Sequence, residues 1–128
     1  MMLASSQYLE TITGKVVVVE DDDLMQALMV EILTELGGSC TPFVTADDAL
    51  MDLLKNDPPI LVVTDFTLPG QLDGREFALM VNTRWPSIPV ILTSGFGSEI
   101  AGKLPDNVMF LQKPWSVEQM VAAVSSMV

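Results

Sequence analysis

The chain has 128 residues, enough for one domain, and a globule of this length buries roughly two thirds of its unfolded surface. Hydrophobic residues make up 49% of it, which excludes general disorder, and a single cysteine, Cys40, excludes an internal disulfide framework and fits a reducing compartment. The absence of histidine removes imidazole catalysis and imidazole metal sites from this chain, and a formal charge of −11 repels nucleic acid.

No apolar run approaches the ~18 residues of a membrane span. Residues 1–14 hold no Lys or Arg and no continuous apolar stretch, so they do not read as a signal peptide. They are expected to be a short extension before a domain at 15–128, in the cytoplasm. Lys15–Glu20 is a valine run without alternation, as in a strand covered on both faces. Leu24, Leu28, Ile32 and Leu36 then recur four apart, an amphipathic helix ended by Gly37 and Gly38. Cys40–Val44 reads as a strand broken by Pro42, an edge-like position. A helix opens at Thr45 or Ala46 and runs to Lys55, where Asn56-Asp57-Pro58-Pro59 stops it. Ile60–Asp65 is a second buried strand type, Asp73–Arg84 a helix, and Ile88–Ser94 a further strand. Residues 98–103 form a short helix at most, Val108–Leu111 a fifth strand, and Ser116 caps a last helix to about Met127.

Alternation of strand and helix predicts an α/β fold of the (βα)5, doubly wound kind: five parallel strands, right-handed crossovers and helices on both faces. Ligands of such sheets bind beyond the carboxyl ends of the strands. At those ends stand Glu20, Asp21, Asp22 and Asp23, then Asp65, then Ser94, then Lys113-Pro114. Carboxylates sharing a crevice raise each other's pKa or require a cation. With oxygen donors only, the ion is hard: Mg²⁺ first, Mn²⁺ or Ca²⁺ by the same donor preference. Taken singly, each feature has an ordinary explanation as a helix cap, a turn or a solvated loop. Their joint arrival at successive strand ends favours a site.

The segments VVVVEDDDLMQALM, VVTDFTLPGQLDGREFA, PVILTSGFG and FLQKPWS resemble, in order, the receiver domain of bacterial two-component response regulators, of the type associated with hybrid sensor kinases. The resemblance implies a flavodoxin-like sheet of strand order 2-1-3-4-5. It implies that Asp65 is a phosphoacceptor, with Glu20, Asp21, Asp65 and the main-chain carbonyl of Thr67 as ligands of Mg²⁺. Lys113 then matches the lysine that reaches the phosphoryl group, and Ser94 and Phe110 match the switch hydroxyl and switch aromatic. With Phe at 110 no phenolic hydrogen bond is available, so a switch rests on packing. The implied partners are a sensor histidine kinase or a histidine phosphotransfer protein, and a downstream protein or a covalently linked output or kinase domain. Neither nucleic acid nor membrane is expected to bind.

Catalysis is expected to extend no further than the chain's own phosphorylation and slow dephosphorylation. Thr67 and Phe96, two residues past Asp65 and Ser94, offer no acid or amide to orient an attacking water. The output face is expected to include Phe96, Ile100, Phe110 and the last helix. A pseudo-receiver that only binds protein is disfavoured because Asp21, Asp65, Ser94 and Lys113 are all present. An aspartyl-nucleophile phosphatase of the haloacid dehalogenase kind usually has an acid two residues on, where Thr67 stands, and a longer chain.

Overall fold

A computed structural model describes residues 11–97, 99 and 102–128. Its elements are β1 (Gly14–Val19), α1 (Asp23–Glu35), β2 (Gly38–Phe43), α2 (Ala46–Lys55), β3 (Leu61–Asp65), α3 (Gly74–Arg84), β4 (Val90–Ser94), β5 (Val108–Gln112) and α4 (Val117–Met127). The strands form one parallel sheet in the order β2-β1-β3-β4-β5, as expected. Four helices lie among the described residues. The short helix expected at 98–103 falls partly outside them, because residues 98, 100 and 101 are not described.

The unbroken valine run of β1 has a simple cause. Val16 and Val18 point into a core with Met29, Ile32 and Leu33 of α1 and Met120 and Val124 of α4. Val17 and Val19 point the opposite way, against Ala46, Ala49 and Leu53 of α2 and Phe77 and Val81 of α3. All four valines are fully buried. Each contributes roughly 1.5–2 kcal/mol from burial, so polar alternation would cost one core or the other.

Pro42 sits on the outermost strand. Phe43 O accepts from Glu20 N at 3.0 Å, so the alternate residue, Pro42, turns its nitrogen to the open edge and no ladder bond is lost. Residues ahead of β1 also pack against the domain. Ile12 is buried, and the Thr11 and Ile12 amides both donate to Leu36 O at 2.9 and 3.0 Å. One isoleucine between two threonines carries no periodicity from which this could be read. Trp115 is also core, packed on the α1 and α4 side.

The helices start on caps that the sequence supplies. Asp22, Thr45, Asp73 and Ser116 accept from the amides of Met25, Asp48, Glu76 and Gln119. Asp73–Glu76 and Ser116–Gln119 are reciprocal capping boxes. Since the strands run parallel, every one of these caps lies near the carboxyl rim of the sheet. That rim carries the candidate residues.

Candidate functional site

The register brings the strand ends together. Val19 pairs with Thr64, Asp65 with Thr93 and Ser94 with Gln112, so Glu20, Asp65, Ser94 and Lys113 follow one another around the rim. Glu20 is the residue just past β1, and its side chain turns inward to 1% exposure. Its backbone is held at both polar atoms: the amide donates to Phe43 O, and Gln26 Nε2 donates to Glu20 O at 2.9 Å while also reaching Phe43 O at 3.1 Å. Asp65, the last residue of β3, is buried as well, whereas Asp21 is exposed.

One carboxylate oxygen from each of Glu20, Asp21 and Asp65 lies within 4.8 Å of the other two. Against these three acids stands one ammonium. Lys113, from the end of the far strand β5, places Nζ 2.9 Å from Asp65 Oδ1 and 3.1 Å from Glu20 Oε1. The Lys113–Pro114 bond is cis, and the Lys113 amide donates to Ser94 O at 2.7 Å. The formal balance of the four groups is −2, which suits a divalent ion with oxygen ligands. The residues therefore fit Mg²⁺.

The protonation preferences are uneven. Burial raises the Glu20 carboxyl above its ordinary value; the Asp22 amide opposes this, the Asp65 charge reinforces it, and Lys113 opposes it. For Lys113, burial works against the charge, but the hydrogen bonds and charges of Asp65 and Glu20 outweigh it and raise the ammonium. The site thus favours the charged form of Lys113 and disfavours that of Glu20.

Ser94 is 2% exposed, and its Oγ accepts from Phe96 N at 2.9 Å. Phe110 is half-buried opposite Leu92 and packs on the α2 and α3 core. Thr67 lies in the loop after β3 with its side chain exposed, and Phe96 is 54% exposed. Ile100 lies outside the described residues. Two neighbours of Asp65 were not anticipated from sequence. Thr93 Oγ1 makes a long bond to Asp65 Oδ1 at 3.4 Å, readable only from strand register. A Cβ on Gly74 would lie 1.7 Å from Asp65 O and 2.8 Å from Phe66 Cα. Only glycine lets α3 begin against the backbone of the site.

The family model for the response regulator receiver domain matches residues 16–125. The DNA-binding transcriptional regulator NtrC of Klebsiella pneumoniae is 28% identical over 110 residues, 84% of this chain and 23% of that protein. Protein PilG of Pseudomonas aeruginosa is 27% identical over 117 residues, 88% of this chain and 85% of PilG. The chain thus spans less than a quarter of NtrC. A response regulator receiver protein from Sinorhizobium medicae superposes with a TM-score of 0.81 at 23% identity, over 90% of this chain and 94% of that one.

Proposed function

Because the chain belongs to the response regulator receiver domain family, we propose that Asp65 accepts a phosphoryl group from a histidine kinase or a histidine phosphotransfer protein. The observation that carries this reading is the lone Lys113 ammonium shared between buried Asp65 and Glu20, beside a third carboxylate. A purely structural cluster would be neutralised from within. Glu20, Asp21, Asp65 and the Thr67 carbonyl would hold Mg²⁺, which would neutralise charge on the transferring group, and Mn²⁺ would suit the same donors.

An Asp65 carboxylate oxygen attacks phosphorus, the P–N bond to the donor imidazole breaks with its electron pair going to nitrogen, and an acyl phosphate forms. Lys113 keeps its charge and turns from the carboxylate to a phosphoryl oxygen. The Ser94 hydroxyl donates a hydrogen bond to another phosphoryl oxygen, which draws the segment after β4 toward the site. Phe110 then repacks, and the face of β5 and α4 changes shape for a separate protein or a linked output domain. No nucleic acid or membrane contact is assigned to this domain, and its setting is the cytoplasm.

Incubation with acetyl phosphate and Mg²⁺ tests the assignment by intact mass. One phosphoryl adduct per chain, absent in Asp65→Asn, is the expected result; an adduct retained by Asp65→Asn overturns it. The exposed Thr67 and Phe96 side chains do not orient water, so the adduct is expected to outlast minutes in a pulse-chase. Decay within seconds refutes that part.

A further inference from the structure

The loop joining β3 to α3 carries Thr67, and it is fastened to a residue with no place in the site as described so far. Asp47, in the first turn of α2, reaches across the carboxyl rim to this loop. Its Oδ1 accepts from the Gln71 amide at 3.2 Å and the Leu72 amide at 3.2 Å, and its Oδ2 lies 3.3 Å from the Gln71 amide. Two successive amides converging on one anion form a small concave nest. Gly70 makes the approach feasible: its φ is +97°, and a Cβ there would lie 2.7 Å from Asp47 Oδ1. The other leg of the loop is tied separately, by Gly74 N to Phe66 O at 2.7 Å.

From this we infer that Asp47 is a positioning residue, a brace from α2 that holds the Phe66–Leu72 loop so that the Thr67 carbonyl stands ready for the cation. The inference rests on the proposed Mg²⁺ role of that loop. Without the brace, the loop keeps its anchor at Gly74 and the packing of Leu68 and Leu72 but loses its polar tie to α2, and part of its ordering falls to the incoming ion. The cost appears as weaker ion affinity, because the ordering entropy is then lost on binding.

Asp48, the next residue in the same helical turn, provides the control. It shares the favourable position at the helix N-terminus, and its carboxylate makes no bond to the loop. Isothermal titration with Mg²⁺ alone is expected to give a dissociation constant about tenfold higher for Asp47→Ala. Asp48→Ala should match wild type, and Asp47→Asn, which keeps an acceptor oxygen, should lie nearer wild type than Asp47→Ala. In the metal-free proteins, hydrogen exchange at the Gln71 and Leu72 amides should quicken in Asp47→Ala and not in Asp48→Ala. Wild-type affinity in Asp47→Ala, equal weakening in Asp48→Ala, or no rescue by asparagine overturns the brace. Wild-type protein that binds Mg²⁺ but takes up no phosphoryl group overturns the phosphoacceptor reading alone.

Discussion

Charged groups gather at both ends of the sheet, on opposite plans. At the amino end, Lys15 Nζ lies 2.7 Å from Asp52 Oδ2 and 3.1 Å from Asp57 O, while Asn56 Nδ2 donates to Asp52 Oδ1 at 2.7 Å. One cation meets one anion, and neutral groups complete the set. Burial disfavours the Asp52 charge, but the Lys15 and Asn56 bonds and the Lys15 charge outweigh it and lower the carboxyl. At the carboxyl end three carboxylates share one lysine, and burial drives Glu20 the other way. The first cluster is complete as it stands. The second keeps a formal charge of −2 uncompensated by its own groups, which suits the proposed cation site and sets it apart from a simple fastening.

The largest effect is expected from Asp65→Asn, which removes the proposed nucleophile at the crowded end and should lower phosphoryl uptake by at least about a thousandfold. Intact mass after acetyl phosphate treatment reads this directly. Gly74→Ala tests how closely the scaffold is fitted behind that carboxylate. A Cβ there would stand 1.7 Å from Asp65 O, so a loss of about 3 kcal/mol in urea unfolding is expected, with slower phosphorylation.

Glu20→Gln should separate function from stability. With Mg²⁺ present, affinity for the ion is expected to fall about tenfold. Without metal, the variant should be more stable than wild type by about 1 kcal/mol at neutral pH. A raised carboxyl pKa means that the folded state resists losing the proton. The cost is absent at or below the ordinary glutamate value, about 4.3, and grows as pH rises toward the folded value. Metal-free melting curves of the two proteins should therefore converge near pH 4 and part toward pH 7.

Lys15→Met gives the smallest effect, and of opposite sign, since here the wild type is the more stable protein at neutral pH. The pair is partly exposed, so its loss should cost about 0.5–1 kcal/mol at pH 7. Asp52 is lowered in the folded state, so its contribution is present above the unfolded carboxylate value and fades as pH falls through the folded one. The gap between wild type and variant should close in acid.

Much of the candidate site was legible because its residues sit at strand ends, and strand ends can be found from apolar runs. The VVVV and ILVVTD runs located Glu20, Asp21 and Asp65, and the run before Ser94 located the hydroxyl. Lys113 was reached through its order after the fifth strand. The supports were hidden for physical reasons. Asp47 meets amides 24 and 25 residues away, and only the folded loop reveals it. Gly74 falls within the helix expected over Asp73–Arg84, with no local sign that its missing side chain makes room for the Asp65 carbonyl. Ile12 gave no pattern at all, yet two amides bind Leu36 O beside it.

Pro42 has an effect beyond the strand that contains it. Its outward nitrogen has no hydrogen to offer, so an extended segment laid alongside β2 would find a missing rung midway, and lengthening of the sheet by another chain is blocked on that flank. The opposite flank, Val108–Gln112, contains no proline and keeps a full set of rungs. The sheet is thus one-sided in its capacity to recruit a sixth strand.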